Sequence, residues 1–226
     1  MKNNINIQKQ YNNFNNIYSE NLSIEDKIGN ECFYNQIDFN CKDKNILDIG
    51  SGDGSDCNNY QKMGGIVTGV EPSDNFVKYA KEKYPNCNFI LSGGENLPFE
   101  DSSFDIVLSK YALQTSNDIK KIFSEISRVL KKDGYILILS KHPIRQFIEQ
   151  DTEQKDYFKN HPTTSNIYQG KITLHEYSHP MTEYINDEFL KNFDLISFEE
   201  AQDFPASEQK NGWNYPTFFI IKARKR

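Results

Sequence analysis

The sequence predicts a single doubly wound α/β domain, and three observations lead there. Short apolar runs alternate with helix-period patterns along most of the 226 residues. The first run, Ile46-Leu47-Asp48-Ile49, breaks into the glycine-alternating turn Gly50-Ser51-Gly52-Asp53-Gly54. An acidic residue, Glu71, closes the second run 21 residues after Gly50. Sheets of this kind bind ligands in the crevice outside the carboxyl ends of their strands.

The elements follow in order. Ile7, Tyr11, Phe14 and Tyr18 recur at helical spacing, so residues 5–20 are expected to form a helix. Its many asparagines weaken it, and it needs docking to persist. Part of 24–37 forms a second helix, and residues 1–40 together form a helical lid. The run 46–49 is long enough for a buried strand and too short for a helix. Asp53 to Met63 is expected to be helical, ended by Gly64-Gly65. Ile66 to Val70 is the second strand. Pro72-Ser73-Asp74 opens a helix that runs to about Tyr84 and stops at Pro85. Residues 88–91 and 104–109 are strands three and four. Asn117 to Leu130 has apolar residues at helical spacing, with Asn117 or Asp118 to cap it. Tyr135 to Ser140 is strand five. Residues 142–185, polar and aromatic, are expected to be an irregular insertion on the substrate side. A helix over Met181–Phe193 and strands over Asp194–Glu200 and Tyr215–Ala223 complete the chain.

Composition narrows the function. The net charge of −6 disfavours a surface that grips nucleic acid. Cys32, Cys41, Cys57 and Cys87 contain no C-x-x-C pair and read as free thiols in a reducing, cytoplasmic setting. No apolar run approaches the ~18–20 residues of a membrane span. Met1-Lys2-Asn3-Asn4-Ile5 lacks the apolar core of a signal peptide. No metal cluster is expected. His175 and His179 share a helical face only if 175–179 is helical, which Pro180 opposes.

The glycine turn points to a nucleoside cofactor held by backbone N–H groups. A nicotinamide loop of the form G-x-G-x-x-G places its third glycine where Ser55 stands here. The spacing D-x-G-x-G-x-G, Asp48 to Gly54, instead resembles motif I of the class I S-adenosylmethionine (SAM) methyltransferases. Three more stretches resemble that family in order and spacing. These are Gly93-Gly94-Glu95-Asn96-Leu97-Pro98-Phe99, Phe104-Asp105-Ile106-Val107, and Arg128-Val129-Leu130-Lys131-Lys132-Asp133-Gly134. Ser140-Lys141-His142-Pro143 and Tyr177-Ser178-His179-Pro180 are similar to segments in its small-molecule branch. The resemblance implies a Rossmann-like sheet of seven strands, order 3-2-1-4-5-7-6 with strand 7 antiparallel, and helices on both faces. It implies SAM as cofactor and S-adenosylhomocysteine as product. The residues expected to hold it are Tyr11, Asp48, Gly50, Ser51, Gly52, Glu71, Pro72, Gly94, Glu95, Asn96 and Ser109. Glycine at 93 and 94 leaves Glu95 or the local backbone to border the adenine.

With the cofactor in the turns after strands one to four, the acceptor is left the remaining side. Tyr18, His142, His175 and Tyr177 are its candidate walls, suited to a small and partly apolar molecule. His142 and His179 are candidate bases, with His142 favoured because it ends a strand. His142 as a turn-shaping residue stays open. So do two other functions: a methyltransferase acting on RNA or protein, and a SAM-binding protein without catalysis.

Overall fold

The computed structural model describes residues 7–12, 27–148, 150, 153–167, 172–204, 207 and 212–226. The elements in order are α1 (Ile7–Asn12), α2 (Lys27–Asn35), β1 (Asn45–Ile49), α3 (Ser55–Lys62), β2 (Ile66–Glu71) and α4 (Asp74–Lys83). Then come β3 (Asn88–Leu91), β4 (Phe104–Lys110), a 3-10 turn (Leu113–Thr115), α5 (Ile119–Val129) and β5 (Leu130–Lys141). The last part holds α6 (Pro143–Ile148), β6 (Pro162–Ile167), β7 (Ile172–Tyr177), α7 (Met181–Tyr184), α8 (Asp187–Asn192), β8 (Phe193–Ala201) and β9 (Phe218–Lys225).

Seven strands form one sheet in the order β3-β2-β1-β4-β5-β9-β8. The first five are parallel. β9 runs antiparallel between β5 and β8. This is the expected order, since β8 and β9 are the sixth and seventh strands of the sheet. Strand residues alternate between two cores, which is why the central strands read as continuous apolar runs. Leu47, Ile49, Val107, Ile136 and Ile138 pack beneath Phe123 and Ile126 of α5 and Phe189 of α8. Ile46, Val67, Ile106, Leu108 and Leu137 pack on the other face, against Phe33, Cys57, Tyr60 and Val77. Phe33 puts α2 in that core. Tyr18 and Phe14 lie outside the described residues.

Several boundaries differ from expectation. α3 starts at Ser55 and not Asp53, because Gly54 takes a left-handed conformation (φ 82°) before the first turn. β5 begins five residues early, at Leu130, paired with Phe104 before a register shift. The expected helix over Met181–Phe193 is two short helices. Asn186 breaks it: its backbone is extended and its side chain accepts from the Phe189 N–H, capping α8. Part of the insertion is regular, while residues 153–161 have no helix or strand. β6 and β7 form an antiparallel hairpin, Pro162 opposite Tyr177 and Ile167 opposite Ile172.

Candidate active site

The site grows from the end of β1. Gly50 and Ser51 both donate their N–H to Val70 O, at 2.8 and 3.0 Å, so the turn stays fastened to β2. Gly50 has φ +76°, and a Cβ there would stand 2.2 Å from Ala112 Cβ. Gly52 has φ +51°, and a Cβ there would meet nothing within 4 Å among the described residues. One glycine therefore admits the chain from β4, and the other faces open space. Glu71, at the end of β2, is buried and accepts from two amides. Gly52 N–H reaches one oxygen at 3.1 Å and Ser73 N–H the other at 2.8 Å. Ser51 Oγ is buried and has no hydrogen-bond partner among the described residues. An open turn, an orphaned hydroxyl and a buried carboxylate fit a ligand with a hydroxylated ribose and a charged polar end.

Burial pushes the Glu71 carboxyl up to about 7, against the opposing pull of the Ser73 and Gly52 N–H groups. Asp48, fully enclosed under the turn, is also raised to about 7, first by burial and then by the Asp56 charge. The Cys57 thiol donates to it at 3.3 Å. Below lies a network that sequence reasoning missed. Lys110, at the end of β4, pairs with Asp56 at 2.7 Å, and Tyr34 O–H donates to the same carboxylate at 2.5 Å. No short-range pattern links residues 34, 56 and 110; only the packing of α2 and α3 on β4 does.

Of the other expected cofactor residues, Pro72, Gly94 and Ser109 adjoin the ends of β1 and β2. Pro72 is half-buried after Glu71. Ser109 is buried, and its hydroxyl donates to Ile49 O at 2.8 Å, tying β4 to the end of β1. Gly94 sits where a Cβ would stand 3.0 Å from Ile49 Cγ2. The Glu95 carboxylate accepts from the Ser116 hydroxyl. Asn96 is exposed, and its carbonyl accepts from Ser92 Oγ at 2.9 Å. Arg128 fastens this loop to α5 by donating to the carbonyls of Leu97 and Phe99. Tyr11 comes in from α1, with its ring 6.4 Å from that of Phe76.

α1 bridges the two sides of the crevice. The Gln10 amide donates to His175 O at 3.2 Å and accepts from His175 N at 2.8 Å. Asn12 meets the Ser73 hydroxyl at 2.6 Å and the Asn75 side chain at 2.8 Å. The hairpin and the loop after β2 thus share one clasp.

The four histidines differ sharply. His142 is buried, and the Ile144 N–H donates to its Nδ1 at 3.0 Å. Its Nε2 lies 2.6 Å from Glu200, so both ring nitrogens are engaged. Burial lowers its pKa, offset in part by Glu200. These contacts fit the turn-shaping role. His175 is exposed, with Nδ1 3.4 Å from Thr164 Oγ1. Tyr177 is half-buried, and its carbonyl accepts from Gln146 at 2.9 Å. His179 is buried beside Glu183. A surface depression of about 460 Å³ is lined by Phe147, Tyr157, Phe158 and His161 among others, all from 147–161. It lies apart from the glycine turn. Among the described residues, no group of His, Cys, Asp or Glu is placed to hold a metal ion. No helix there is long and apolar enough to cross a membrane.

Residues 47–138 match a family model described as a methyltransferase domain. The chain is 37% identical over 105 residues to the ubiquinone/menaquinone biosynthesis C-methyltransferase of Campylobacter jejuni, covering 43% of this chain and 45% of that one. It is 28% identical over 172 residues to the demethylmenaquinone methyltransferase of Chlorobaculum tepidum, covering 73% of this chain and 69% of that one. The match thus spans about half the length of the Campylobacter relative. An S-adenosylmethionine dependent methyltransferase from Mesorhizobium loti shares the fold with TM-score 0.72 at 19% identity, over 88% of this chain and 99% of that one.

Proposed function

We propose, from the match of residues 47–138 to a methyltransferase domain, that the chain is a class I SAM-dependent methyltransferase and methylates a small-molecule acceptor. One observation carries the reading: the glycine turn opens at Gly52 beside the buried Glu71 carboxylate. Bound SAM supplies a methyl group on a sulfonium whose sulfur leaves neutral. Glu71 is placed to accept ribose hydroxyls, and the Gly50–Gly52 backbone to hold the amino-acid end. Gly94, Glu95 and Asn96 border the base, with Tyr11 as a cover. Asp48, Ser51, Pro72 and Ser109 shape the floor. The chain's own work is alignment and exclusion of water, since the leaving group needs no help.

The acceptor side is built by α1, the ends of β4 and β5, and the hairpin. His175 and Tyr177 come from that hairpin. The small-molecule class is supported by the names of both relatives, which are quinone methyltransferases. We propose oxygen or nitrogen as the methylated atom. Four free cysteines support a reducing, cytoplasmic setting.

The test is calorimetry with SAM on wild type and Glu71→Ala, followed by methylation assays over small molecules, RNA and peptides. Glu71→Ala should keep the fold and weaken SAM by about 1.5–3 kcal/mol, the scale of hydrogen bonds to a charged group. Unchanged affinity would sink the cofactor assignment. Turnover only on RNA or peptides would move the acceptor class, and a carbon-methylated product by NMR would move the atom.

A further inference from the structure

We infer that His179, oriented by Glu183, takes the proton from the methyl acceptor, and that the acceptor presents a hydroxyl on an aromatic ring. The inference rests on the methyl-transfer reading above and names the chemistry at that same site.

His179 precedes α7 by two residues and is 1% exposed. Its Nδ1 lies 2.6 Å from Glu183 Oε2. A carboxylate only accepts, so Nδ1 carries the hydrogen and Nε2 keeps its lone pair. Nε2 is buried and has no hydrogen-bond partner among the described residues. A buried polar atom left unpaired costs stability, and such atoms call for a working explanation. The other histidines lack this combination. His142 has both nitrogens engaged. His175 is exposed. His161 also has an unpaired Nε2, but no carboxylate hydrogen bond orients its ring.

Contacts connect His179 to the cofactor turn. Its ring stands edge-on to Tyr184, with centroids 6.1 Å apart. The Tyr184 hydroxyl is 3.3 Å from Ser140 Oγ, at the end of β5. Ser140 donates to Gln114 Oε1 at 2.9 Å, and Gln114 Nε2 donates to Tyr111 O at 2.7 Å. Tyr111 precedes Ala112, the residue packed on Gly50. The charged and titratable groups around Tyr184 are Glu183 on α7, Tyr157, and Glu176 on β7. Glu176 is paired with Lys141 of β5 at 2.6 Å. Glu183 is therefore the carboxylate that holds the imidazole, while Glu176 is neutralised by its own partner.

An imidazole takes a proton from a phenol far more readily than from an alcohol, because phenolic hydroxyls ionise near ~10. In the step, the acceptor O–H bond breaks and the proton goes to Nε2. The electron pair stays on oxygen, which becomes the nucleophile. His179 Nδ1 keeps its hydrogen, donated to Glu183, whose carboxylate balances the imidazolium charge. The proton passes to water when product leaves. His179 is the catalytic residue here, and Glu183 a positioning one.

The experiment has two arms. 4-Nitrophenol, whose ionised form is coloured, is bound to protein saturated with S-adenosylhomocysteine. The bound probe should be more ionised than free probe in wild type, less so in Glu183→Gln, and no more than free in His179→Gln. Turnover is then measured on a set of one- and two-ring phenols and hydroquinones. His179→Gln should lower kcat by ~10²-fold at neutral pH with KM little changed. That loss should shrink at alkaline pH, where the phenol ionises unaided. Calorimetry with S-adenosylhomocysteine should give equal affinity for all three proteins. Equal ionisation or equal neutral kcat in wild type and His179→Gln would overturn the inference. So would a wild type that binds SAM yet neither ionises nor methylates any of the phenols. A wild type that binds no SAM overturns the methyl-transfer reading instead. If His179→Gln fails to fold by its melting curve, His179→Asn replaces it, and the wild-type ionisation result decides alone if neither folds.

Discussion

Glu71 is where acidity meets the proposed cofactor site. Its folded carboxyl titrates at about 7 against an ordinary 4.5 because it is buried, despite two N–H donors. A carboxyl raised in this way holds its proton more tightly when folded. Its contribution to stability is complete below 4.5 and fades as pH rises through about 7. Asp48, raised from 3.8 to about 7, acts with the same sign. Ribose hydroxyls donate best to the ionised form, so binding should draw the proton off. SAM affinity is therefore expected to rise as pH passes upward through about 7. Calorimetry in buffers of different ionisation heat should register released protons, and Glu71→Gln should flatten both effects. Affinity unchanged across that range would contradict this. The two turn glycines separate fold from ligand. Gly50→Ala drives a Cβ to 2.2 Å from Ala112 and should cost about 1–3 kcal/mol in a denaturant titration. Gly52→Ala meets no atom of the described residues within 4 Å. It should cost only about 1–2 kcal/mol for its left-handed backbone, yet lose most SAM binding. Equal SAM affinity in Gly52→Ala and wild type would mean the cofactor lies elsewhere. Gly50, Gly52 and Glu71 were legible in the sequence because backbone and strand-end constraints leave short-range marks. Ala112, Gln114 and Lys110 were not, because their roles depend on which elements pack together.

At the level of elements, the sheet strands were legible because burial on both faces leaves plain apolar runs. The hairpin was less so. Ile172-Thr173-Leu174-His175-Glu176-Tyr177 does alternate, with Leu174 and Glu176 buried and Thr173 and His175 exposed. One of its buried positions is a glutamate, which pairs with Lys141 of β5. A hydropathy pattern cannot show an ion pair formed 35 residues away. The split between α7 and α8 teaches the same point. The apolar spacing is continuous through the break, but Asn186 prefers to cap. Asn186→Ala should remove that cap and cost about 1 kcal/mol of stability, measured by urea unfolding at unchanged m. No loss would mean that packing of Phe189 alone sets the start of α8.

In the whole molecule, the crevice lies where β1 has β2 on one side and β4 on the other, with chain connections leaving in opposite directions. Gly50, Gly52 and Glu71, the core of the proposed cofactor site, lie at that reversal. SAM at about a hundredfold excess over Kd should add about 2.7 kcal/mol to stability. For a chain of this size that raises Tm by roughly 5–10 °C. S-adenosylhomocysteine should act alike, and NAD should not shift the melt. A shift with NAD alone would reverse the reading of the glycine spacing. The Gln10 clasp also bears on how the chain reaches this state. Gln10 and His175 are separated by 165 positions. Closing so long a loop costs only slightly more entropy than closing one of half the length. It cannot be rewarded, however, until β7 and the loop after β2 both exist to be bridged. The clasp is thus a late event in folding, and the sheet with its glycine turn comes first. In pulse-labelled refolding, the His175 amide should gain protection after the amides of Gly50 and Ser51.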